Sequence, residues 1–215
     1  MTQSRFIVDA DWLQARLGDP TLRIVDASWY LPAQNRDPKA EYSAGHIPGA
    51  VFYDQDKVAD LTSGLPHTIP SPGAFSAAMG ELGIADGDTI VVYDGPGIFS
   101  APRVWWLLRT FGAKNVFVLN GGLDGWKAEG RPLTSESPSP APAVFNASFD
   151  AAAVTSFDTM KEIVAGGAKQ IADARGPGRF TGDEAEPRPG MRSGHMPGAK
   201  NLPSAVFSQN GHLQP

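Results

Sequence analysis

Two short strings recur in this chain, in the same order and at nearly the same separation. Arg23-Ile24-Val25-Asp26-Ala27-Ser28 is echoed by Gln170-Ile171-Ala172-Asp173-Ala174-Arg175, and Gly45-His46-Ile47-Pro48-Gly49-Ala50 by Gly194-His195-Met196-Pro197-Gly198-Ala199. The offsets are 147 (23 to 170) and 149 (45 to 194), so order and spacing agree within a two-residue insertion. A repeat of this kind means one structural unit used twice, and any fold given to the first copy must also serve the second. Between the copies, Thr134 to Pro142 alternates prolines with small residues, which favours an extended connector over a packed core. The expected organisation is a first domain over 1–133, a Pro-rich linker over 134–147, and the amino-terminal part of a second copy over 148–215.

The local patterns define the repeated unit. Leu22 to Val25 and Thr89 to Tyr93 are β-branched runs bounded by turn residues, as buried parallel strands are. Ser71-Pro72 opens a helix through Leu82, with Ser71 as cap and Pro72 at the first helical position. A helix over Ser100 to Phe111, a strand over Val116 to Leu119 and a short helix over Leu123 to Glu129 follow. This alternation predicts an α/β fold with a central, mostly parallel sheet flanked by helices. In the second copy Thr155 is the expected cap of a helix through Val164, and Gln170 to Asp173 a strand. Asp94 follows His46 by 48 residues and Asp26 by 68; the same intervals from His195 and Asp173 lead to positions 243 and 241, past the 215 residues. The second copy is therefore expected to be incomplete, with open sheet edges and low stability by itself.

Composition narrows the function. A net charge of −5 with no basic block argues against nucleic acid or an anionic membrane as partner. No apolar run approaches a bilayer span and the first residues do not form a secretory leader, so a cytoplasmic setting is expected. The chain has no cysteine, which excludes disulfides, thiolate zinc sites and thiol catalysis by these residues themselves. Its four histidines, His46, His67, His195 and His212, show no metal-binding spacing, and no metal or organic cofactor is expected.

Three separated motifs carry a resemblance. Gly45 to Ala50, Ser100-Ala101-Pro102-Arg103-Val104-Trp105-Trp106 after Tyr93-Asp94, and Leu119-Asn120-Gly121-Gly122-Leu123-Asp124-Gly125-Trp126 occur in the order seen in the tandem-domain rhodanese family. The segment Asp173 to Phe180, continuing to Glu186-Pro187-Arg188-Pro189-Gly190, resembles that family's 3-mercaptopyruvate sulfurtransferase branch. The resemblance implies rhodanese folds in which only the carboxy-terminal domain holds a nucleophilic cysteine, in a loop between a central strand and a helix. Backbone N–H groups and a helix N-terminus in such a loop favour a thiolate and then a persulfide. At the matching place of the first copy stands Asp94, which fits an inactive first domain and can cap the following turn or be solvated.

The resemblance assigns roles to four residues. Arg179 and Arg188 would hold the carboxylate and keto oxygen of an α-keto acid, two guanidinium groups suiting a planar array of oxygens. Read without the family, the same arginines would pair on the surface with Asp183, Glu184 and Glu186. Asp56 and His67 would act in proton transfer, an Asp–His pair being able to orient an imidazole and move a proton to a departing enolate. His46 and His195 instead belong to Gly-His-x-Pro-Gly turns in which the imidazole bonds locally. Trp105, Trp106 and Trp126 are expected to pack in a core or at a domain interface. The expected activity is transfer of a sulfane sulfur from 3-mercaptopyruvate to a thiol, such as thioredoxin, or to cyanide, with a carboxy-terminal piece completing domain two and its cysteine. Thiosulfate:cyanide sulfur transfer, a non-catalytic rhodanese-like binding module and a rhodanese-related phosphatase are the alternatives.

Overall fold

Five apolar strings form one parallel sheet: β1 (Ile7–Val8), β2 (Leu22–Asp26), β3 (Ala50–Phe52), β4 (Thr89–Tyr93) and β5 (Asn115–Leu119), in spatial order β1-β5-β4-β2-β3. The computed structural model describes residues 4–167, 169–187 and 190–214. Parallel strands need crossovers, and these contain α1 (Ala10–Gln14), α2 (Pro38–Ala44), α3 (Pro72–Glu81) and α4 (Ala101–Thr110), while α5 (Gly122–Ala128) follows the last strand. Because successive strand residues point to opposite faces, each strand feeds two cores. Val25, Ile90, Val92, Val116 and Val118 pack with Phe75 and Met79 of α3 and Val104, Leu107 and Leu108 of α4. Ile24, Val91, Tyr93 and Leu119 pack on the other face with Leu13 of α1 and Leu123 and Trp126 of α5. The result is the helix–sheet–helix sandwich that the alternation implied.

Most expected elements stand within a residue or two of their reading. Ser71 accepts the Ala74 N–H through its hydroxyl at 3.3 Å, as a cap should. The cap of the second copy's helix is Ser156, not Thr155: its hydroxyl accepts the Thr159 N–H at 3.1 Å and opens α6 (Phe157–Gly166). Trp126 is buried and donates its indole N–H to the Pro132 carbonyl, while Trp105 meets Phe6 edge-on and donates to Val116. These are packing roles.

The boundary lies further along the chain than the prolines suggest. One compact unit runs to Asp150 and also takes in Asn210–Leu213; the other is Ala151–Gln209. Prolines make residues 134–142 extended, but an extended chain can still dock. Ala143 N–H donates to the Gly80 carbonyl and Ser148 N–H to that of Phe111. Phe145 is buried against Phe75 in the first core. The segment read as a linker, with its boundaries at 134 and 147, is thus largely a strap on the first unit.

In the second unit β6 (Ile171–Asp173) pairs in parallel with β7 (Ala199–Asn201); α6 precedes β6 in the chain, and the short α7 (Pro177–Thr181) lies between the two strands in sequence. The registers correspond: Ile24 faces Ala50 in the first unit and Ile171 faces Ala199 in the second, the same 147 and 149 offsets seen in the sequence. Among the described residues of this unit no apolar side chain is fully buried; Phe157 is 79% exposed and Val206 58%. Among the described residues its sheet has two strands, β6 and β7.

Candidate functional site

In a parallel sheet the loops after the carboxyl ends of the strands converge, and ligand sites gather there. The loops after β2 and β3 bring Trp29 and Asp56 together in the first unit, and the loop before α3 adds His67. His67 Nε2 lies 2.7 Å from Asp56 Oδ1. The Trp29 indole N–H donates to the same oxygen at 3.2 Å, and the Trp29 and His67 rings meet edge to face with centroids 4.9 Å apart. A carboxylate only accepts hydrogen bonds, so this contact calls for a proton on His67 Nε2, and in the neutral ring Nδ1 is then the acceptor. The structure therefore joins the two residues singled out for proton transfer, and its geometry suits a relay.

The backbone at His67 is held in an uncommon state. Its φ is 56°, in the left-handed region that costs a non-glycine residue about 1 kcal/mol or more. Arg103 of α4 donates a guanidinium N–H to the His67 carbonyl, and burial of that guanidinium lowers its proton affinity. A cavity of about 210 Å³ adjoins the cluster, lined by Ser28, Trp29, Lys39, Asp54, Gln55 and Asp56 among others. Lys39 is ion-paired with Asp54 at 2.6 Å on its wall. Trp29 is in none of the sequence motifs, and Arg103 stands in one of them without a site role of its own. The available signal was topological: Trp29 follows β2 by three residues, as Asp56 follows β3 by four.

Asp94, at the end of β4, is not solvated. Its carboxylate is fully buried and accepts N–H groups from Gly97 (2.6 Å) on Oδ1 and from Phe99 (2.8 Å), Ser100 (2.6 Å) and Ala101 (2.7 Å) on Oδ2. The loop and the start of α4 thus form an anion cradle filled by the chain's own side chain, the capping role foreseen for it. The cradle also holds Ile98 at φ 52°, a costly state for a β-branched residue.

In the second unit Arg179 is bound to Glu186, its Nη2 2.6 Å from Oε2 and its Nε 3.2 Å from Oε1. Glu186 also accepts from Arg175 at 2.6 Å, and Arg175 grips Asp173 through Nε and Nη2. The Arg175 guanidinium holds the Asp173 carboxyl down at about 2. The surface pairing foreseen for Arg179 is thus present, with Glu186 alone of the three acids. Arg188 lies outside the described residues. His46 and His195 are both local: each ring stacks on an aromatic side chain, Tyr42 or Phe180, and its Nδ1 bonds that residue's carbonyl, at 2.8 and 2.7 Å.

Comparison with known proteins agrees with this architecture. Residues 9–129 match the rhodanese-like domain family. The chain is 42% identical to the 3-mercaptopyruvate sulfurtransferase of Escherichia coli K12, covering 97% of this chain and 75% of that one. It is 41% identical to the mitochondrial thiosulfate/3-mercaptopyruvate sulfurtransferase 1 of Arabidopsis thaliana, of which it spans 59%. The crystal structure of a 3-mercaptopyruvate sulfotransferase from Escherichia coli superposes with a TM-score of 0.90 at 39% identity, covering 99% of this chain and 80% of that one. The Tum1 protein of Saccharomyces cerevisiae follows with a TM-score of 0.88, 31% identity, and 96% and 73% coverage. The first unit's sheet, its filled cradle and these likenesses have one reading: the chain belongs to the rhodanese-like sulfurtransferase family.

Proposed function

We propose that this chain is the greater part of a 3-mercaptopyruvate sulfurtransferase, and that Asp56 and His67 carry the proton its reaction must move. The observation that supports this most is the 2.7 Å contact between His67 Nε2 and Asp56 Oδ1. The reaction has a simple balance. A thiolate attacks the sulfur of 3-mercaptopyruvate, an S–S bond forms, and the S–C bond breaks with its electron pair passing to carbon as the pyruvate enolate. The hydrogen on the substrate sulfur ends on the methyl carbon of pyruvate, and the enzyme is left as a persulfide anion. One proton is transferred and no electron carrier is needed. A histidine oriented by a carboxylate is suited to receive and return that proton.

The 215 residues include no cysteine, so the attacking thiolate belongs to polypeptide outside them. Arg179 would bind the substrate carboxylate, with Glu186 keeping its planar fork oriented, and Arg188 the keto oxygen. A thiol protein of the thioredoxin kind, or cyanide, would take the persulfide sulfur, in a cytoplasmic setting. Steady-state kinetics of the complete protein with both arginines changed to alanine test the substrate assignment. The expected result is a KM for 3-mercaptopyruvate raised by about tenfold or more, since each charge-assisted contact is worth about 1.5–3 kcal/mol. An unchanged KM sinks the assignment.

A further inference from the structure

We infer that Trp29 is a positioning residue of the Asp56–His67 pair: its indole N–H fixes the carboxylate that fixes the imidazole. Asp56 is 68% exposed on its side chain, whereas the His67 side chain is only 20% exposed. A carboxylate in that setting exchanges its partners with water and gains little from a single surface contact. Here one oxygen, Oδ1, receives two converging bonds, from Trp29 Nε1 at 3.2 Å and His67 Nε2 at 2.7 Å.

Trp29 is itself anchored. Its backbone N–H donates to the Ser100 hydroxyl at 3.2 Å, and that hydroxyl donates to the Ala27 carbonyl at 2.8 Å. The indole is thereby tied to the loop after β2 and the start of α4, and its ring edge bounds the imidazole. From the other side Arg103 of α4 holds the His67 carbonyl in its left-handed turn. The exposed partner of the pair, Asp56, is thus located by a residue whose backbone is bonded to Ser100 at the start of α4. The consequence is a single His67 tautomer, Nε2 protonated and Nδ1 open for the transferred proton.

The catalytic consequence rests on the proposed function; the positioning itself does not, and the 215-residue chain suffices to measure it. Ring ¹⁵N chemical shifts of His67 at a pH where the imidazole is neutral report the tautomer. The wild-type chain is expected to show Nε2 protonated almost alone. Trp29→Phe keeps an aromatic ring and removes the N–H, and is expected to lower the ratio of Nε2-protonated to Nδ1-protonated ring by about threefold, the worth of one exposed contact. As an independent arm, Asp56→Ala should move the Trp29 indole N–H resonance upfield and speed its exchange with solvent. A Trp29→Phe chain with the wild-type tautomer ratio, or an indole resonance indifferent to Asp56→Ala, overturns the inference. In the complete protein Trp29→Phe should lower kcat for 3-mercaptopyruvate with KM unchanged. A shifted tautomer with unaltered kcat would uphold the positioning role and count against the relay.

Discussion

Removing the Asp94 carboxylate should destabilise the first unit more than any other single polar change. Three of the N–H groups it accepts, from Gly97, Ser100 and Ala101, are buried, and the fourth, from Phe99, is partly so. A buried donor left unpaired costs about 1–3 kcal/mol, so Asp94→Ala could lose as much as about 9 kcal/mol if nothing relaxed. Two features reduce this. Phe99 is 46% exposed, so water can reach part of the emptied cradle. Ile98 can also leave its left-handed conformation once its neighbours are released, returning about 1 kcal/mol of strain. The expected loss is about 3–4 kcal/mol. Asp94→Asn is graded by the same geometry. Its amide oxygen can take the place of Oδ2 and keep three donors, leaving the Gly97 N–H facing an NH₂ group, for a loss of about 1.5–2 kcal/mol. Urea unfolding followed by tryptophan fluorescence reads both values. A loss below about 1 kcal/mol for Asp94→Ala, or Asn costing more than Ala, would refute the view that this carboxylate organises the loop.

Phe145→Ala should cost the first unit about 3–5 kcal/mol in the same assay, because Phe145 is core and not linker; a change under about 1 kcal/mol would return the segment to the role of tether. Amide exchange should be much faster in β6 and β7 than in β2 and β4, since no apolar side chain described in the second unit is fully buried, and equal protection would contradict this. Asp173 gives that unit a pH dependence of definite sign. Its carboxyl lies near 2 beside Arg175, below its ordinary 3.8, so its contribution is complete above about pH 4 and is lost as pH falls toward 2. Far-UV circular dichroism between pH 5 and 2 should show the loss, and Asp173→Asn should flatten it; an unaltered profile counts against the pairing.

The fold was legible because each signal was local or repeated. β-branched runs at β2 and β4, the Ser71-Pro72 start of α3 and the two echoes each fix an element or a register without reference to distant residues. What escaped the sequence was tertiary. Nothing local distinguishes a proline-rich strap from a proline-rich tether; the difference is whether Phe145 finds Phe75, more than sixty residues earlier. Ser156 and Thr155 are both competent caps, and only the backbone at Ser156 presents its hydroxyl to the Thr159 N–H. The Asp56–His67 pair was reached through a family resemblance, whereas Trp29 and Arg103 needed coordinates, because the strand order that places the loops side by side is not written in either loop.

In the proposed relay His67 moves a proton that only one kind of sulfur donor requires. With 3-mercaptopyruvate the departing carbon must be protonated; with thiosulfate, attack on the outer sulfur releases sulfite and no proton changes place. The deciding measurement is therefore kcat with each donor for the complete protein and its His67→Gln variant, at one pH and one acceptor concentration. The relay predicts that the variant loses about a hundredfold or more with 3-mercaptopyruvate, the usual size of a general acid–base contribution, and less than about threefold with thiosulfate. An equal loss with both donors would make His67 a structural residue, and no loss with either would remove it from the reaction.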